Sequence, residues 1–508
     1  MVAHHELLYH EPSHACRARR IGRCIRNSPK NETSRCNRLG HWALGIGRTH
    51  DYCVGVNETQ SESAAIEFPR DPASQAAAAR AHFVRKQLPT EGLFAGHDWR
   101  TSPAPFALGA ELAKEIESFG RVLLQFYRAV NLLYRKSVEG KQPEWVARWL
   151  DLGKPAEVIA LQRSPAFKND VPRVIRPDLL LTEHGLRVTE LDSVPGGIGL
   201  TGWLNQTYAA TGANVLGGAD GMVRGFESIF GDAKQVRVII SEEAATYRPE
   251  MEWLAQQLGS RFTIHDSRFT DFHPGDAVYR FFELFDLANV ANSKKILDLA
   301  VAKQIRLTPP PKPVFEEKML FALLWNRNLH GFWRQELGDG FLNRLRKLVP
   351  YTWIVDPAPL PPQAAIPELN LTDWQQLKAL SQKERELIVK VSGFSANAWG
   401  ARGVFLGSDL SHEDWSRAVD DALAHFNQSP RVLQRFHKPA LVEAQWFDFA
   451  KNEAVPMKGR ARLCPYYFVR GDGDAARPQL GGVLATICPA DKKIIHGMSD
   501  AIMAPCSA

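Results

Sequence analysis

A chain of 508 residues with 44% hydrophobic content is long enough for one large enzyme core or for two to four domains. Its net charge of +6 is small for that length and no basic run concentrates it, which argues against nucleic acid as a main partner. No apolar stretch of about 18 residues occurs, so no membrane span is expected.

The opening MVAHHELLYH lacks the apolar core of a signal peptide. Cys16, Cys24, Cys36 and Cys53 crowd the start of the chain at spacings that fit no zinc site. The total of seven cysteines is odd and includes no CxxC pair, so no disulfide framework is expected. Residues 1–68, rich in Arg, His, Cys and Asn, have no helical or strand period. They are expected to be a disordered extension or sequence upstream of the true start.

An Ala-rich stretch over 72–86 opens the organised part, and 69–170 is expected to be helical. Leu108, Leu112, Ile116, Phe119, Leu123, Phe126, Val130 and Leu133 recur at helical spacing and predict a long helix or helical pair over 106–136. A short helix is expected over 144–152. Residues 171–235 hold two strand-like runs around Glu183-His184-Gly185, the glycine-rich loop Pro195-Gly-Gly-Ile-Gly199, and a helix over 201–212.

The next segment, 236–313, alternates strands (236–241, 262–265, 277–282) with helices (249–258, 287–302), as in a small parallel α/β domain. The proline run ending at Pro313 marks a boundary or rigid crossing segment. Residues 314–508 begin with a helix expected over 316–337. A proline-rich surface excursion follows at 357–367, then strands and one clear helix over 412–426.

Two clusters carry chemistry. The first is Arg176-Pro-Asp178 with Glu190-Leu-Asp192. A three-residue hairpin loop with Gly185 left-handed would pair Thr182 with Leu186, Leu180 with Val188, Asp178 with Glu190 and Arg176 with Asp192, all on one face. A two-residue turn would split Asp178 and Glu190 between faces. Facing carboxylates repel, and a bound Mg²⁺ would remove that cost, since it takes one or two carboxylates plus substrate phosphates. Arg176 could grip a phosphate with its planar fork. The bland alternative is a solvated hairpin with surface ion pairs. The loop 194–199 could offer backbone N–H groups to a substrate carboxylate, though it matches no phosphate motif.

The second cluster is Lys318, ahead of Leu323-Leu-Trp325, with Lys390 and the small-residue loop from Ser392 to Gly403. Lys390 leaves an apolar strand where its ammonium could neutralise nucleotide phosphates. The loop, with Ser392 and Gly393, could fold over them, and Arg402 could add a second positive contact. Gln434, on the strand 431–436, could meet an adenine edge or be a plain exposed position. Arg460 and Arg462 share one face of a strand, and either could meet an anion. His496, Ser499 and Asp500 match a triad by type only, and their close spacing in one loop does not give triad geometry.

In order and spacing these residues resemble the glutathionylspermidine synthase-like enzymes, circularly permuted ATP-grasp carboxylate–amine ligases. In that family an Arg-x-Asp strand precedes a Glu-x-Asn strand. A lysine then precedes a helix ending Leu-Leu-Trp, and a second lysine ends a strand before a glycine-rich loop. The resemblance spans roughly 170–505. It implies an α/β (α+β) chain with an ATP-grasp-like core in permuted order, a small parallel α/β pre-ATP-grasp domain and an N-terminal helical segment. It implies ATP and Mg²⁺ as cofactors, with Asp178, Glu190 and Asp192 on the metal and Lys318 and Lys390 on the phosphates. Arg176 would steady the transferring phosphoryl group.

The chain departs from the family at Asp192, which replaces Asn, in the wording of the glycine-rich loop, and in a longer stretch between the lysines. No amidase-type domain precedes the core, so glutathione and spermidine are not carried over as substrates. The expected activity is an ATP- and Mg²⁺-dependent ligase joining a small-molecule or peptide carboxylate to an amine through an acyl phosphate. The alternatives are an ATP-binding scaffold of the same fold and a small-molecule kinase. A cytoplasmic location follows from the need for ATP and the missing export signal. Oligomeric state is not legible.

Overall fold

The computed structural model describes residues 72–89, 99–398, 402–495 and 500–508. The extension 1–68, His496 and Ser499 lie outside them. The described chain belongs to one compact unit, Pro69–Ala508, and its fold is mixed, with helices packed on three sheets.

The largest sheet has eight strands. Its centre is the long strand Glu453–Arg470, flanked by Arg477–Pro489 on one side and by Val174–Thr182, then Gly185–Asp192, on the other. A four-stranded antiparallel sheet holds Leu387–Val391 between Val404–Leu406 and Arg431–Arg435. The third sheet, Phe262–Asp266, Val236–Ile240, Ala277–Phe281 and Arg306–Thr308, is parallel throughout, as the alternation over 236–313 predicts.

Helix Ala110–Val138 buries Ile116, Phe119, Leu123, Phe126, Val130 and Leu133, the stripe its sequence predicts. It starts later than expected because Gly109 takes φ 79°, a left-handed value that breaks a helix. Phe106–Ala107 instead pairs with Cys506 and Ser507. Helix Ala156–Arg163 was not expected from periodicity.

The helix expected over 316–337 is broken. Met319–Trp325 ends at Asn326, whose side chain accepts from the Asn328 N–H at 3.0 Å and starts a new turn. The chain resumes as His330–Leu348, kinked at Gly338. Likewise the expected 287–302 helix is a 3₁₀ segment, Leu284–Asn289, followed by Ser293–Val301. The break at Asn326 leaves a short helix, buried from Met319 to Leu324, with Lys318 at its start. That helix, helix Ala110–Val138 and the inner face of the hairpin (Leu179, Leu186, Val188) share one core. Among the described residues no helix is long and apolar enough to cross a membrane.

Candidate active site

The hairpin brings its acids together by a route the sequence reading missed. Thr182 pairs with Gly185, not Leu186, and Leu180 with Arg187, not Val188. The turn is Glu183-His184, and Gly185 takes φ 88°. A register shift between Asp178 and Leu179 leaves Thr189 as an extra residue, and beyond it Asp178 still faces Glu190 and Arg176 faces Asp192. The hydrophobic effect explains the correction: Leu186 and Val188 go to the core, so Arg187 takes the cleft side. Bulges re-aim side chains in this way beside functional sites. This one also frees the Thr189 carbonyl, which Lys390 Nζ meets at 3.0 Å.

The acids and arginines form a buried network. Arg176 Nη2 donates to Asp192 Oδ2 at 2.8 Å, and its Nε lies 3.2 Å from Asp178 Oδ1. Arg462 Nη1 donates to Asp178 Oδ2 at 3.0 Å, and the Cys464 thiol donates to Oδ1 at 3.4 Å. Burial alone would raise the Asp178 pKa, but Arg176 and Arg462 outweigh it and hold the carboxyl below its usual range. Asp192 shifts the other way. Burial raises it, Arg176 and the Val194 N–H only partly offset this, and the charges of Asp178 and Glu190 add to the rise. Arg460 is spent on the carbonyls of Ala490 and Pro439, so Arg462 is the member of that pair at the site.

The lysines approach from the opposite side. Lys390 sits within Leu387–Val391 and donates to the Thr189 carbonyl and, at 3.1 Å, to Gln434 Oε1. Burial pulls its pKa down to about 8, against the charge of Glu190. Gln434 is only 3% exposed and passes its amide N–H to Thr352 Oγ1 at 3.0 Å, so it is not a plain exposed position. Lys318 Nζ donates to the Ala398 carbonyl at 2.9 Å and lies 3.4 Å from Glu190 Oε1.

Ser392 and Gly393 stand behind the cleft rather than in its wall. The Ser392 hydroxyl donates to Glu317 and accepts from the Met319 N–H at 3.0 Å. Glu317 is held in turn by buried Lys154 at 2.6 Å. A side chain at Gly393 would meet the Glu316 carbonyl at 2.5 Å, so only glycine fits there. Arg402 pairs with Glu243 at 2.6 Å and does not line the cleft.

The hairpin row, Arg462, Lys318, Lys390 and Gln434 wall a cleft of about 750 Å³, within the usual range for small-molecule sites. It also contains acids that sequence reasoning missed. Glu250 accepts from the N–H groups of Gly197 (2.7 Å), in the loop expected to meet a substrate carboxylate, and of Leu200 (3.1 Å) just beyond it. Burial pushes its pKa up to about 7 despite those bonds. Glu283 and Glu316 line the same cleft. All three sit in segments whose sequence reads as ordinary helix or loop, and nothing in their spacing marks them.

The donors fit Mg²⁺ in one restricted way. Among the described residues no three His, Cys, Asp or Glu side chains are grouped to hold an ion, and both Asp178 oxygens already face donors. Glu190, partly exposed and touched by Lys318 only at 3.4 Å, keeps free lone pairs. Such a set suits an ion that arrives with phosphates completing its shell, more than a resident ion caged by three acids.

No family model and no curated protein matches this chain. Among solved structures it is similar to a glutathione synthetase-like effector from Globodera pallida in its apo form. The TM-score is 0.51 at 10% identity, over 86% of this chain and 98% of the other. A protein assigned as a gamma-glutamylcysteine synthetase from Methylobacillus flagellatus KT aligns with a TM-score of 0.36 at 12% identity, over 79% of this chain and 89% of the other. The first is a likeness of fold; the second carries no argument.

Proposed function

We propose that this chain is an ATP- and Mg²⁺-dependent ligase of the permuted ATP-grasp type, joining a carboxylate to an amine through an acyl phosphate. The observation that carries the reading is the convergence of Lys318 and Lys390 with the Arg176–Asp178–Glu190–Asp192 row across one cleft. These residues come from stretches far apart in the chain. The fold-level likeness to a glutathione synthetase-like effector is in keeping with it.

In this reading Lys318 and Lys390 neutralise the triphosphate. A carboxylate oxygen attacks the γ-phosphorus, ADP leaves, and the amine nitrogen displaces phosphate to give the amide, losing its proton. Glu190 would hold Mg²⁺, which when bound adds charge neutralisation at the phosphates; both Asp192 oxygens, like those of Asp178, already accept hydrogen bonds. Arg176 and Arg462 face the same space. Their acid neighbours outweigh the effect of burial and raise their pKa values, so both stay cationic and can stabilise charge as it develops.

A melting-temperature measurement with and without Mg·ATP tests the reading, because a ligand of the folded state must raise the midpoint. The expected result is a Mg²⁺-dependent rise that Lys390→Ala and Glu190→Gln abolish, together with ADP release that requires both an acid and an amine. No rise at millimolar Mg·ATP would refute it. The saturated oxygens of Asp178 favour a second reading, a nucleotide-binding scaffold. That protein would show the rise but release no ADP with any acid and amine pair.

A further inference from the structure

The cleft has a charged end and an apolar end, and the large sheet sets where one gives way to the other. Its strands lie side by side in the order Gly185–Asp192, Val174–Thr182, Glu453–Arg470, Arg477–Pro489 and Ile502–Ser507. Paired residues of neighbouring strands project from the same face. One row runs from Glu190 to Asp178, whose carboxylate meets the Cys464 thiol, and on to Leu484. The next runs from Leu180 through Arg462 and Thr486 to Met503. Along both rows the charged groups end at the central strand, and Leu484 and Met503 lie beyond it. Met503 is two strands past Arg462, about 10 Å away at the usual strand spacing.

The glycine-rich loop closes this apolar end. A side chain at Gly197 would stand 3.9 Å from Leu484 and against the Tyr466 hydroxyl, and one at Gly196 would strike the Tyr247 ring. Two glycines therefore let Tyr247, Tyr466 and Leu484 draw up to one stretch of backbone. Helix Ile198–Ala209, which follows the loop, packs on Arg477–Pro489 and Ile502–Ser507 and brings Leu200 to the cleft wall. Trp99 lines the same cleft, and Trp99, Leu200, Tyr247 and Met503 all pack on one core while keeping part of their surface open. Glu250 adjoins this wall, but its two oxygens are taken by the Gly197 and Leu200 N–H groups.

At the charged end each guanidinium commits one terminal nitrogen, Arg176 Nη2 to Asp192 and Arg462 Nη1 to Asp178. Both line the cleft with the other terminal nitrogen still unbonded. Such a pair suits a planar carboxylate. A charge carried out to Met503 would instead be desolvated among apolar groups without a partner.

We propose that the cleft binds a monocarboxylic acid with an apolar tail, its carboxylate at Arg176 and Arg462 and its tail over Leu484 and Met503, beside Leu200 and Trp99. That this molecule is the acid substrate rests on the ligase reading. Leu200, Leu484 and Met503 then determine specificity, and acids of the same length with a polar or charged far end are rejected.

Calorimetric titration of the whole protein with straight-chain carboxylates, with and without Mg·ADP, tests this. The expected result is an affinity that rises about fourfold per methylene from butyrate to octanoate. Suberate, the diacid of octanoate's length, and octanol should bind far more weakly. Met503→Gln and Leu200→Gln, both close to the wild type in size, should flatten the rise at its long end, and their melting temperatures report whether the fold is kept. The chain-length series of the unmodified protein decides the matter even where a variant unfolds. Affinity independent of chain length, suberate equal to octanoate, or a rise unchanged in both folded variants would overturn the proposal. So would octylammonium binding in place of octanoate, which would give the tail to the amine. Titration of the same preparation with Mg·ATP separates the two readings. Octanoate binding without Mg·ATP binding sinks the ligase reading and spares the tail site, and Mg·ATP binding without a chain-length effect sinks only the tail site.

Discussion

Lys390 is the residue whose state is easiest to follow in solution. With its pKa near 8, it is cationic below that pH and neutral above it. Nucleotide affinity, if it depends on this ammonium, should be greatest at pH 6.5 and fall as pH rises through about 8. In Lys390→Ala that fall should vanish; an identical pH profile in the variant would remove the lysine from the phosphate site. Asp178 makes the opposite case. Its folded pKa is depressed, so its contribution to stability is present above the unfolded value and lost as pH falls through the folded one. Asp178→Asn strands Arg176 and Arg462 without their shared acid. It should cost about 3 kcal/mol of unfolding free energy at pH 7, with a smaller cost near pH 3. Urea denaturation at the two pH values measures both.

At the scale of elements, the bulge and the Ser392–Glu317–Lys154 bonds behind the cleft position the site. Deleting Thr189 would restore regular pairing, keep Glu190 opposite Asp178, and remove the carbonyl that holds Lys390. The deletion protein should fold, yet bind Mg·ATP about tenfold more weakly, the worth of one charged hydrogen bond. Unchanged affinity by calorimetry would show that the carbonyl is dispensable.

The same elements mark what was legible in the sequence. Alternation and spacing yield the stripe of the long helix, the parallel strands of 236–313 and the pairing of Asp178 with Glu190. The bulge is invisible to a period of two, because an extra residue compensates a shorter turn and both errors cancel at the acid end. Ser392 and Gly393 are legible as special residues. Their place behind the wall follows from Glu317 and Lys154, which no local pattern links to them. Glu250, Glu283 and Glu316 gain meaning only when three segments meet.

For the whole molecule, another buried lysine is informative. Lys312 is 1% exposed and donates to Asn131 Oδ1 and the carbonyls of Lys168 and Asp170. Burial lowers its pKa to about 7. The folded state thus gives up this proton more readily than the unfolded chain, whose lysine titrates near 10. Between those values unfolding takes up a proton, so this group makes stability rise with pH from about 7 to about 10. Lys312→Met should flatten that part of the melting-temperature profile. A profile that keeps its slope would assign the rise to other groups.

The Thr189 bulge also bears on how such a site can change over generations. Substitution alters one side chain in place, whereas loss or gain of this residue alters the length of one strand. The carboxylate row survives the edit and the lysine's tether does not. The acid row and the lysine's tether are therefore separately heritable in this hairpin, and a single-codon deletion is the step that would uncouple them.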